Sequence, residues 1–131
     1  MSWQPWTPSG ATVGQASINV HDVEKAAAFY RDTLGIRFLF QAGPKMAFFD
    51  AGGLRLMLAV PEKPEFDHPS SIFYFKVDDI QAVAATLESR GVKFESAPHR
   101  IAEMPAHDLW MGFFRDVDGN LLALMSEVPR G

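Results

Sequence analysis

Between residues 13 and 20 the chain alternates polar Gln15, Ser17 and Asn19 with apolar Ala16, Ile18 and Val20, the two-residue period of a strand with one buried face. Asp22 follows as an N-cap, and Val23, Ala26, Ala27, Tyr30 and Leu34 fall on one helical stripe that Gly35 closes. Three short strands are predicted next, over 36–40, 46–50 and 54–60, separated by Gly43-Pro44 and Gly52-Gly53 turns. The helix should cover the apolar face of the first strand and leave its polar face for other use.

The same pattern then repeats. Val20, Asp22, Val23, Ala27 and Ala28 recur 57 residues later as Val77, Asp79, Ile80, Ala84 and Ala85. Asp50, Gly53, Leu56 and Leu58 recur at an offset of 66 as Asp116, Gly119, Leu122 and Leu124. The second copy predicts strands over 72–77, 93–96, 109–115 and 121–125, with a helix capped by Asp79 and carrying Ile80, Val83, Ala84 and Leu87 on one face. The order is βαβββ twice, an α+β arrangement in which each unit needs a neighbour to bury its apolar side. Module one spans about 13–60 and module two about 71–127 of one domain over 1–131. The connector 61–70 holds three prolines and four charges. The stretch between Ala97 and Asp108, with His99, Arg100, Glu103 and His107, is expected to be an irregular loop suited to function.

Bulk properties remove several classes of partner. With 12 basic against 16 acidic side chains and no basic stripe, a nucleic-acid partner is not expected. No apolar run reaches the roughly 18 residues of a membrane span, and the first residues lack the features of a signal peptide. The expectation is a soluble, cytoplasmic protein with no membrane partner. Zero cysteines exclude thiolate ligands and a cysteine nucleophile, and no nucleotide-binding glycine loop or nucleophile elbow is present.

Two motifs, V-x-D-V-E-K-A-x-x-F-Y-R-D-x-L-G at Val20 to Gly35 and F-F-R-D-x-D-G-N at Phe113 to Asn120, resemble those of the vicinal oxygen chelate superfamily of glyoxalases, bleomycin-resistance proteins and extradiol dioxygenases. The resemblance implies paired βαβββ modules whose mixed sheets curl into a cup, usually built across a homodimer. It also implies that metal-dependent members hold a divalent ion by one residue from the first strand and one from the fourth strand of each module. Here those positions are Gln15, Met57, Ile72 and Ala123. A Gln amide oxygen can coordinate a cation, but a thioether suits hard cations poorly, and Ile and Ala have no donor atom. The expectation is therefore no metal and no cofactor.

Periodicity places Gln15, Ser17 and Asn19 on the cup face, and the repeat assigns Ile72, Tyr74 and Lys76 the same orientation. Arg55, Met57 and Ala59, with Leu121, Ala123 and Met125, should line the cup beside them. Trp110, on the apolar strand after His107-Asp108, is counted with the ligand-binding residues. This mixture of apolar surface and a few polar groups is the make-up of a small-molecule pocket. His107 and Glu103 are the candidate acid-base residues, whereas His21 and His68 are read as surface residues. Trp3 and Trp6 are expected to pack across a subunit boundary or form one rim of the cup. The reading is a metal-free, homodimeric binding protein that sequesters an amphipathic or aromatic small molecule. The alternatives are a metal-dependent lyase, isomerase or dioxygenase using Gln15 with His99, His107 or Glu103, and a metal-free acid-base enzyme.

Overall fold

The computed structural model describes residues 13–130, so Trp3 and Trp6 lie outside the described residues. Eight strands form two four-stranded sheets, each with its own helix. Module one comprises β1 (Gln15–Asn19), α1 (Val23–Ala28), β2 (Arg37–Ala42), β3 (Met46–Ala51) and β4 (Leu54–Ala59). Module two comprises β5 (Phe73–Lys76), α2 (Ile80–Ser89), β6 (Phe94–Glu103), β7 (His107–Arg115) and β8 (Leu121–Pro129). The sheet orders are β1-β4-β3-β2 and β5-β8-β7-β6. In each, the first strand pairs parallel with the fourth and the other pairings are antiparallel. The sheets do not close, and the βαβββ repeat is realised in both halves.

The helices start as their sequences require. The side chains of Asp22 and Asp79 accept hydrogen bonds from the backbone N–H of Lys25 and Ala82, at 3.1 and 3.0 Å, satisfying donors that the first turn leaves open. The helices end differently. After Ala28 the first continues as a π-helical turn over Phe29–Thr33, in which Leu34 N–H donates to Phe29 O at 2.9 Å. Gly35 then adopts φ 75°, a left-handed conformation that glycine takes without steric penalty. Arg90, at the end of α2, donates to Thr33 O at 2.8 Å and so caps the other module's helix.

The helix-facing residues of both sheets form one core. Ile18, Val20, Tyr30, Phe49, Leu56 and Leu58 from module one join Leu87, Phe114, Leu122 and Leu124 from module two. At its centre the buried Tyr30 hydroxyl donates to Asp116 Oδ2 at 2.6 Å. Asp116 also accepts from the backbone N–H groups of Asp118 and Asn120 and from the Asn120 side chain. Asn120 in turn donates to Asn19 O at 2.8 Å. Burial first, and the Asp116 carboxylate second, push the Tyr30 phenol well above its usual range, so it stays a donor. The two motifs that carried the family resemblance therefore bind each other and join the modules.

One element departs from the sequence reading. The expected loop between Ala97 and Asp108 is mostly strand: β6 runs from Phe94 to Glu103, with register shifts against β7 at three points. Pro98 lies among those shifts. A proline cannot donate to the ladder, so the strand survives by bulging around it. A tight turn at Pro105 then leads into β7, with Met104 N–H donating to His107 O at 2.8 Å.

Candidate functional site

Strand alternation gives each sheet a second face, turned away from its helix. In module one this face is built in cross-strand rows: Gln15 beside Arg55, Asp50 and Arg37, and Ser17 beside Met57, Phe48 and Phe40. Arg55 Nε donates to Gln15 Oε1 at 2.7 Å, and its guanidinium lies over the Phe48 ring at 5.3 Å. Phe48 in turn packs on Phe40 with ring centroids 4.8 Å apart. Gln15 Nε2 approaches the Met57 sulfur at 3.7 Å. Phe40 and Met46 are 48% and 38% exposed, so this wall presents aromatic and thioether surface to solvent beside Arg55.

Module two builds the corresponding wall differently. The row is Tyr74, Ala123 and Phe113, and the two rings meet edge to face, with centroids 6.1 Å apart. They flank Ala123, which is fully buried. Further along the same face, Lys76 Nζ pairs with Glu127 Oε1 at 2.9 Å and His107 Nε2 lies 3.4 Å from Glu127 Oε2. The hydrogen bond and charge of Lys76 hold the Glu127 carboxyl below its usual range. Glu127 was missed in the sequence because β8 was expected to end at Met125. The alternation Ala123, Met125, Glu127 continues past that point and could have found it, as Met46, Phe48 and Asp50 could have found Phe48.

Several predicted site residues are placed elsewhere. Trp110 pairs with Ser126 on the helix-facing side of the sheet and packs against the core, because it alternates with the cup-facing Met111. Asn19 is occupied by the connector: its side chain donates to Phe66 O and His68 O at 2.7 and 2.9 Å, and its N–H donates to the Ser70 hydroxyl. Ile72 lies just before β5 and is 40% exposed. Asp108 does not orient His107 but pairs with Arg130 and Arg100, adjacent strand residues pointing to opposite faces. Glu103, on the surface, pairs with Arg100 at 3.1 Å, and His99 Nδ1 lies 2.8 Å from Ala97 O. His21 lies between the carboxylates of Asp67 and Asp118, at 3.0 Å from each. Through these contacts the connector is tied to the β7–β8 turn.

The four positions at which the resemblance implied metal ligands do not fit a divalent ion. The only oxygen donor, Gln15 Oε1, already accepts from a guanidinium. Met57 offers a thioether, and Ala123 is sealed between two aromatic rings. Among the described residues no group of three His, Asp or Glu side chains is arranged to hold a metal ion; Gln15 stands on the other sheet from His99, Glu103 and His107.

A cavity of about 560 Å³ lies on the helix-facing side at the module junction, with Leu34, Ile36, Leu56, Phe73, Val83 and Leu87 in its lining. Its charged lining residues are already committed. Asp50 accepts from Gly53 N–H and faces Arg37 at 3.8 Å, while Lys76 is paired with Glu127. That slot offers volume without recognition chemistry, so the cup faces are the stronger candidate.

Known proteins supply an independent frame. The model of the Glyoxalase/Bleomycin resistance protein/Dioxygenase superfamily matches residues 12–124. The uncharacterized protein YraH of Bacillus subtilis (strain 168) is 28% identical over 123 residues, covering 84% of this chain and 94% of that protein. TnmS3, an antibiotic binding protein from Streptomyces sp. CB03234, is 28% identical with a TM-score of 0.72, over 89% of this chain and 96% of its own. A lactoylglutathione lyase from Agrobacterium tumefaciens shares the fold at 21% identity, with a TM-score of 0.72, over 88% of this chain and 93% of its own. Among the described residues no helix is long and apolar enough to cross a membrane.

Proposed function

Because the chain belongs to the Glyoxalase/Bleomycin resistance protein/Dioxygenase superfamily, with modules that keep the cup and lack its metal donors, we propose that it is a metal-free small-molecule binding protein. It sequesters an amphipathic or aromatic ligand against the cup face. The observation that carries this reading is the chemistry at the four ligand positions, where a guanidinium-bound amide, a thioether, an isoleucine and a buried alanine leave nothing to hold a divalent ion against water. The likeness to an antibiotic binding protein at 28% identity supports it. Each cup face is a single exposed wall, so the full site is a homodimer's, with module one of a protomer facing module two of its partner.

The test is elemental analysis after equilibration with Ni, Zn, Mn and Fe(II), on the unaltered protein and on Gln15→Ala. No retained metal is expected from either. About one ion per chain, lost on the substitution, would overturn the reading. Sedimentation that finds only monomer at working concentration would remove the dimeric site.

One observation favours a second reading, a metal-free acid-base enzyme. His107 stands on the cup face beside Glu127, which Lys76 keeps ionised, an arrangement that can orient an imidazole for proton transfer. Turnover of a ligand found by screening is then lost in His107→Ala. Turnover that persists in that variant excludes this reading.

A further inference from the structure

Among the described residues every arginine except Arg55 and Arg90 has a carboxylate within ion-pair reach. Arg90 serves as a helix cap through Thr33 O. Arg55 has no such structural task, yet it is held from two sides. Gln15 Oε1 accepts from Nε, and the face of Phe48 lies beneath the guanidinium, whose flat, weakly hydrated charge stacks well on a ring. The other cations on the cup rows face carboxylates: Arg37 lies 3.8 Å from Asp50, which stands opposite Arg55 in the strand register but outside ion-pair reach of it, and Lys76 is paired with Glu127. Among the described residues Arg55 is therefore the cation of the module-one wall left without an ion-pair partner, in a protein whose net charge is −4.

We infer that Arg55 is the anchor of the cup, taking the place in which relatives hold a metal ion and binding the carboxylate of a planar aromatic ligand. This rests on the cup being the ligand site. Nε is committed to Gln15, so the terminal nitrogens carry the donors left to grip both oxygens of a carboxylate. Beside the Gln15 amide, on the same face, lies the Met57 sulfur at 3.7 Å, and a thioether makes favourable contact with an aromatic body. Gln15 becomes a positioning residue. It fixes the orientation of the guanidinium before the ligand arrives, which lowers the ordering cost of binding.

The experiment compares 2-naphthoate with uncharged 2-naphthamide by isothermal titration calorimetry on the full-length protein, Arg55→Met and Arg55→Lys. In the unaltered protein naphthoate should bind on the order of tenfold more tightly than naphthamide, as a charge-assisted bidentate contact predicts. Arg55→Met should bring the two affinities together, and Arg55→Lys should keep only part of the preference, since an ammonium lacks the fork. In the unaltered protein the Arg55 Nε–H resonance should shift with naphthoate and stay in place with naphthamide, a readout that needs no variant to fold. Equal binding of the two probes, or a preference that survives in Arg55→Met, overturns the anchor and leaves the binding cup standing. Failure of both probes to bind the unaltered protein overturns the cup reading for aromatic ligands along with the anchor.

Discussion

The cup wall of module one holds a stacked guanidinium, exposed aromatic rings and a thioether, whereas in module two a Tyr74–Phe113 pair flanks a buried alanine and a lysine is neutralised by Glu127. Yet the framework behind both walls is the same, down to an aspartate that caps each helix through the N–H three residues on. The difference separates what the shared core dictates from what it leaves open. Residues facing the helices are constrained by a shared core and repeat between modules. Those facing the cup are released from that constraint and diverge.

The turn aspartates break the symmetry most strongly. Asp50 accepts one turn hydrogen bond and is partly exposed, whereas Asp116 is buried and accepts four, one of them from the opposite module. Asp116→Ala should therefore cost about 3 kcal/mol or more by stranding the Tyr30 hydroxyl and turn N–H groups, and Asp50→Ala less than about 1 kcal/mol. Urea denaturation of the two variants checks this. Equal losses would mean that Asp116 is an ordinary turn residue and that the modules are not joined there.

The walls themselves can be exchanged. Ala123→Met installs the residue that module one carries at the matching position, and it should destabilise by about 1–2 kcal/mol because the new side chain must part Tyr74 and Phe113. Met57→Ala, on the open wall, should cost less. A thermally neutral Ala123→Met would show that the aromatic pair yields readily and that the two walls are equally open.

The smallest expected effect separates the connector from both modules. His21 is exposed, and its pKa is raised above 6.5, first by the hydrogen bond and charge of Asp67 and then by Asp118. A raised folded-state value means that its contribution is full below about 6.5 and is lost as pH climbs through the higher folded value. Amide protection in the connector around Phe66 and His68, taken relative to the intrinsic base-catalysed exchange rate at each pH, should therefore fall from neutral pH upward, and His21→Gln should remove that fall. A pH-independent connector in the unaltered protein would show that the Asn19 hydrogen bonds alone hold it.

Much of this was legible in the chain. Two-residue alternation identified the cup faces of β1, β4 and β8, and the cap aspartates marked both helix starts, because each depends only on neighbours close in sequence. Misreadings arose where a local signal met a distant partner. Pro98 and Pro105 read as loop, yet pairing with β7 carries β6 through the first with bulges. Trp110 read as a ligand contact because its strand's phase was not fixed from sequence; pairing with Ser126 sets it on the core side. For Phe48 and Glu127 local alternation marks the face on which each stands, but nothing local marks the partners, a guanidinium above the one and a lysine and a histidine around the other.

By itself the sequence determined the repeated βαβββ units and the absence of adequate metal donors at the four positions, since periodicity and side-chain chemistry are properties of the residues alone. Only the tertiary structure decided which charged and polar side chains meet on the cup faces. Gln15 and Arg55 are 40 residues apart, and Lys76 and Glu127 are 51 apart. Whether such charges meet, and which is left without a partner, follows from strand register across a sheet rather than from the order of residues along the chain.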